Sequence, residues 1–148
     1  MKFEITRDQE FIKYCLTHPY VWRNTIDDAL IGVDPELFFP PMNGVVYVKA
    51  GEFGLLVGKP VNYITYDVHI ALMPQARGMA KDICKNAVQW IFDNTERPLR
   101  LMASIPSFNV KTIKLAGDVG MEFIGINKKS FMVNGSLFDQ HLFGISKE

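Results

Sequence analysis

The sequence is short of the residues that several kinds of chemistry require. Its 148 residues hold only two cysteines, Cys15 and Cys84, far apart in the chain. That is too few for a disulfide framework or a zinc site, and no metal is expected. Cys84 falls on the apolar side of an expected helix and reads as a buried thiol. No apolar run approaches the ~20 residues that span a bilayer. The opening stretch MKFEITRDQEF lacks the apolar core of a signal peptide, so a cytoplasmic setting is expected. Neither sign of charge is in surplus, with 16 basic and 16 acidic residues. Balanced charge gives no support to a nucleic-acid or acidic-membrane footprint, which would show as a basic surplus or stripe, so neither is expected as a partner.

The common nucleotide signatures are missing too. GLLVGKP resembles a P-loop, but only three residues separate Gly54 from Gly58, and Pro60 stands where a magnesium-binding hydroxyl belongs. No GxGxxG fingerprint occurs. What the chain does have is globular composition, 48% hydrophobic and 22% charged, at a length that suits one domain over residues 1–148.

Local patterns divide the chain into helices, then strands, then an alternation of the two. FEI reads as a short strand. Asp8 is placed to cap a helix through QEFIKYCLTH, which Pro19 is expected to close before a short second helix in YVWRNTIDDAL. VDPELFFPPMNG reads as a Pro-rich loop. VVYVKA, GLLVGKPV and NYITYDVHIALM follow as three strands of an antiparallel meander, the first two joined by GEFG. Residues 79–94 form the clearest helix. Ala80, Ile83, Cys84, Ala87, Val88, Ile91 and Phe92 recur at three- and four-residue steps, opposite Lys81, Asp82, Lys85, Gln89 and Asp93. LRLMASI reads as a strand. FNVKTIKLAGDVG reads as a helix capped by Asn109 and ended by Gly120. MEFIGI, KSFMV and SLFDQHLFGI close the chain as strands, the last two around an Asn134-Gly135 turn. The fold class is α+β, mixed, with a largely antiparallel sheet.

Gln75-Ala76-Arg77-Gly78-Met79-Ala80 lies where a strand ends and the clearest helix begins. The first helical turn leaves N–H groups unpaired, and the macrodipole adds partial positive charge, so such a junction favours anions. Gly78 leaves room for a phosphate, Ala80 keeps the entrance open, and Arg77 adds a charge. Ordinary helix starts share some of these features.

The arrangement of these residues resembles the GCN5-related N-acetyltransferase (GNAT) family. Its signature Q/R-x-x-G-x-G/A is filled by Gln75, Gly78 and Ala80, and its second marker by Asn109 ahead of Gly120-Met121, Phe123 and Gly125. The stretches YDVHIALMPQARGMAKDICKNAVQWIFDNT and IPSFNVKTIKLAGDVGMEFIG look most like small acetyltransferase-like proteins encoded by tailed bacteriophages. The resemblance covers about residues 44–143. It implies a mostly antiparallel twisted sheet, split in a V between the fourth and fifth strands and flanked by about four helices.

It also implies acetyl-CoA as cosubstrate and an amine acceptor, either a small molecule or a protein amine, with a homodimer common among relatives. The amides of Arg77, Gly78, Met79 and Ala80 would then hold the pyrophosphate, within a cradle that includes Gln75 and Ala76. Leu72 and Met73 would present backbone groups to the pantetheine and the thioester carbonyl, with the Met73 N–H as oxyanion donor, and Asn109 would contact the CoA arm. Relatives often place a Tyr acid seven residues after that Asn, where this chain has Ala116.

Asp67 and His69 share a strand face by two-residue alternation and are the candidate base, the carboxylate raising the His pKa. Alternatively they only keep one sheet face polar. Trp22, Phe38 and Phe39 lie in the segment that borders the acceptor in relatives, as specificity residues or as cover for the core edge. The enzyme reading, N-acetyl transfer, has two rivals: a GNAT-fold CoA-binding or interaction module without catalysis, and a transferase of longer acyl groups.

Overall fold

The computed structural model describes residues 1–148. Strand β1 (Phe3–Ile5) leads to helices α1 (Gln9–Thr17) and α2 (Pro19–Thr25), followed by a loop containing a short 3-10 turn at Pro35–Leu37. The meander comprises β2 (Val46–Ala50), β3 (Gly54–Pro60) and β4 (Thr65–Leu72). A 3-10 segment, Pro74–Met79, then feeds α3 (Ala80–Asn94), which is followed by β5 (Arg100–Pro106), α4 (Val110–Asp118), β6 (Glu122–Val133) and β7 (Ser136–Ser146).

Capping chemistry sets most of the helix boundaries. The Asp8 carboxylate accepts from the N–H groups of Glu10 and Phe11, which starts α1 as expected. Pro19 does not merely close α1. It occupies the first turn of α2, where a missing N–H costs nothing. Asn109 caps α4 by accepting from the Thr112 N–H, and Gly120 follows its end at φ +94. Residues Asn134 and Gly135 both have positive φ, 51 and 76, as a two-residue hairpin turn requires.

The seven strands form one sheet in the order β1-β2-β3-β4-β5-β7-β6. Every neighbouring pair is antiparallel except β4 and β5. MEFIGI and KSFMV, expected as two strands, are one long strand whose register slips between Asn127 and Phe131. Lys129, at φ 52, lies inside that irregularity.

The central strands of the sheet are packed from both sides. Helices α3 and α4 cover one face, where Cys84, Val88 and Phe92 pack with Leu101, Ala103, Ile105 and Phe143. Helices α1 and α2 cover the other, where Ile12, Cys15 and Val21 meet Tyr47, Leu55, Val57, Ala71 and Met73. Full burial of one such aliphatic side chain contributes about 2 kcal/mol, so these two layers hold the sheet in place. Trp90 packs at the edge of a smaller cluster near Phe3.

Candidate active site

Strand β4 is where the two layers and the open part of the sheet meet. Its pairing with β3 runs unbroken from Tyr66 opposite Pro60 to Leu72 opposite Gly54, so no bulge disturbs the alternation. Tyr66, Val68, Ile70 and Leu72 therefore face α3 and α4, while Asp67, His69, Ala71 and Met73 face α1 and α2. Toward β5 the pairing is brief: Thr65 with Arg100, Tyr66 with Leu101, Asp67 with Met102. Both strands continue beyond these pairs, so the sheet opens into a split after Asp67 and Met102.

On the α1–α2 side, His69 lines a cavity of about 230 Å³ together with Leu16, Trp22, Phe38, Tyr47 and Lys59. Trp22 and Phe38 meet edge to face at 5.5 Å, and the Tyr47 hydroxyl donates to the Pro41 carbonyl at 2.6 Å. Phe39, grouped with them from sequence, points away: it is 80% exposed and lies beneath the Lys13 ammonium. Asp28 ties one end of the neighbouring loop to the β6–β7 turn, its carboxylate accepting from the N–H groups of Asn134 and Gly135.

The ionisation of the candidate pair departs from expectation. His69 is an exposed residue whose side chain lines the cavity beside Lys59. Desolvation of the imidazolium against the cavity wall, together with the Lys59 charge, lowers its pKa to about 4. Burial pushes Asp67 above the usual carboxylate value, against the pull of Lys59. Neither side chain bonds to the other, and their hydrogen-bonding groups have no protein partner. The Asp67 carboxylate does not raise the His69 pKa. Packing decides it in the opposite direction, and His69 is a neutral imidazole at pH 7.

This has a measurable consequence. The folded pKa lies below the ordinary 6.5, so the unfolded chain takes up the proton first as pH falls. The stability from neutral His69 is complete above about pH 6.5 and is lost as pH falls toward 4. In an NMR pH titration the His69 ring should show no midpoint between pH 5 and 8. A midpoint near 6.5 would mean that bulk water governs the ring.

At the other end of β4, Met73 cannot serve as the oxyanion donor. Its N–H donates to the Phe53 carbonyl at 2.8 Å, and its own carbonyl accepts from the Ala76 N–H at 2.9 Å. Backbone groups alternate between strand edges, so Ile70 and Leu72 direct theirs at the split. The Ala76 side chain is packed beside Ala50 and Ile83, so only its backbone borders the cradle. Arg77 turns its guanidinium onto the Tyr20 ring of α2, with Nη2 buried and unpartnered, and not over the helix entrance. Ala80 returns its N–H to the Arg77 carbonyl. Gln75, Gly78 and Met79 are exposed. The Asn109 side-chain oxygen Oδ1 is occupied in capping, accepting from both the N–H and the hydroxyl of Thr112.

No protein-family model and no curated protein matches the chain. Solved structures do. A point variant of the spermidine N-acetyltransferase of Vibrio cholerae superposes with a TM-score of 0.72, at 16% identity over 99% of this chain and 95% of that one. The ribosomal-protein-S5-alanine acetyltransferase of Vibrio fischeri gives 0.68, at 16% identity over 99% and 92%. The Vibrio cholerae spermidine enzyme in complex with CoA and spermine gives 0.61, at 21% identity over 71% and 67%. The fold is the GNAT fold.

Three features of this GNAT fold fit a CoA group. The split between β4 and β5 offers an open strand edge. The entrance of α3 has no side-chain cap, so beyond the Ala80 N–H, which the Arg77 carbonyl already takes, no capping side chain competes for its first N–H groups. A Cβ built on Gly78 meets nothing within 4 Å, so this part of the cradle has free space beside the backbone. No cluster of His, Cys, Asp or Glu that could hold a metal occurs, and no helix is long and apolar enough to cross a membrane.

The sequence had not singled out Lys59 or Tyr47. Lys59 was hidden in the stretch that mimics a P-loop. Its signal was the meander register, which sets it directly opposite Asp67.

Proposed function

We propose that the chain is an acetyl-CoA-dependent N-acetyltransferase, the whole of residues 1–148 acting as one domain. The observation that carries this reading is the split after Asp67 and Met102, with an uncapped helix entrance at one end of β4 and a side-chain-lined cavity along it. The amides around Gly78 and Met79 would hold the pyrophosphate, and the open edge at Ile70 and Leu72 would pair with the pantetheine arm. Acetyl-CoA, when bound, supplies an acetyl group activated as a thioester.

The remaining chemistry falls to the chain's own groups. The acceptor must present a free amine, and an ordinary amine with a pKa near ~10 is mostly protonated at pH 7. Once its lone pair is engaged in the new bond, the nitrogen becomes strongly acidic. A neutral imidazole nitrogen of low pKa, His69, suffices to take that proton. The Leu72 N–H, directed at the split, replaces Met73 as the donor to the oxygen that gathers charge. Asp67, on the same face, is placed to orient the acceptor. The small free-amine fraction, its first proton already lost to water, is what attacks. The C–S bond would then break to release the CoA thiolate, which takes a proton from water.

A second reading, CoA binding without catalysis, is favoured by one observation. Ala116, at the position of the usual acid, is 5% exposed and packed in the core behind β5. The likeness to phage-encoded proteins rests on sequence motifs alone, and the cytoplasmic setting on composition. Mass spectrometry of a primary amine incubated with the protein and acetyl-CoA tests the enzyme reading. A gain of one acetyl group supports it, and CoA binding with no transfer to any amine selects the second.

A further inference from the structure

The cavity beside His69 has an unusual charge arrangement for an amine site. Among its eleven lining residues seven are hydrophobic, Lys59 is the one charged side chain, and no carboxylate is present. Asp67 lies just outside, directly across from Lys59 in the β3–β4 register and on the same face as His69. The two charges form no ion pair within 4.0 Å. Directly opposed residues of this kind are about 5 Å apart at Cβ. One cation of the cavity lining and one anion opposite it in the register thus stand without an ion-pair partner.

We propose that the acceptor is a small amine carrying a carboxylate next to an apolar body, as in an apolar α-amino acid, and not a polyamine. The inference rests on the acetyltransferase reading of the same site. The amino end lies toward Asp67 and His69, where the proton of the attacking nitrogen leaves once the new bond has formed. The carboxylate lies on the Lys59 ammonium, which has no other anion within ion-pair distance. The apolar body enters between Trp22, Phe38, Leu16 and Leu30. At about 230 Å³ the cavity lies below the usual range for drug-sized ligands and suits a compact one. A polyamine would set a second ammonium against Lys59 with no carboxylate in the lining to receive it, a like-charge contact that selects against it.

Acetylation rates with leucine, phenylalanine, their methyl esters and spermidine, followed by CoA thiol release, test this. The free acids should exceed spermidine in kcat/KM by at least tenfold and their own esters by a similar factor. Lys59→Gln should raise KM for the acids about tenfold, leave the esters unchanged and leave kcat nearly so. Lys59→Arg should restore most of the loss, which separates a charge effect from misfolding. A wild-type preference for spermidine, or equal rates for acid and ester, overturns the proposal. So does acetyl-CoA binding with no amino acid consumed, an outcome that leaves the CoA site standing. Failure to bind acetyl-CoA at all would instead remove the acetyltransferase reading beneath it.

Discussion

His69→Ala is expected to lower kcat/KM for N-acetyl transfer by about 10²–10⁴-fold, the usual contribution of a positioned proton acceptor. Acetyl-CoA binding should remain within about twofold of wild type, because His69 faces the α1–α2 cavity and not the entrance of α3. Its side chain has no hydrogen-bond partner in the protein to lose. Truncation therefore removes the proton acceptor without leaving a buried polar group unpaired. Asp67→Asn separates the two residues. With no bond between them, it should act chiefly on KM, and a loss as large as that of His69→Ala would show that they work as one unit. Steady-state rates at pH 7.5 with saturating acetyl-CoA check both. Wild-type rates in His69→Ala would leave the residue as mere polar cover on a sheet face.

Gly78→Val is expected to weaken acetyl-CoA binding by at least tenfold while the protein stays folded. The position has ordinary negative φ, and an added Cβ meets no protein atom within 4 Å, so the native backbone accepts a side chain. The space that the side chain fills is the space beside the backbone where the pyrophosphate is to sit. A thermal midpoint near that of wild type combined with lost binding assigns the free space to the ligand. Unchanged affinity would put the pyrophosphate elsewhere.

Much of the framework was legible in the sequence because its causes are local. The stripe from Ile83 to Phe92 is buried on one helical face, and Asp8 and Asn109 cap their helices. Alternation along β4 placed Asp67 and His69 on one face, which the unbroken β3 register maintains. What escaped depends on contacts between distant segments. The insertion of β7 between β5 and β6 leaves no local mark. MEFIGI and KSFMV read as two strands, but β7 pairing carries one strand through an irregular register.

The site shows the same division. The Met73 N–H was open to any role until the meander placed Phe53 beside it. Arg77 sits in the stretch read from sequence as an anion cradle, yet α2 supplies a ring that draws its guanidinium away. The direction of the His69 pKa shift followed from protein around the ring, which a neighbouring Asp67 in sequence could not reveal.

The central claim is that the α3 entrance and the β4–β5 split bind a CoA thioester. Isothermal titration of the unmodified protein with acetyl-CoA, with ATP as a phosphate-bearing nucleotide control, tests it most directly. Saturable binding of acetyl-CoA at one site per chain, with none or far weaker binding of ATP, is the predicted result. No heat of binding with acetyl-CoA, supported by an unchanged thermal midpoint at millimolar ligand, would contradict the account.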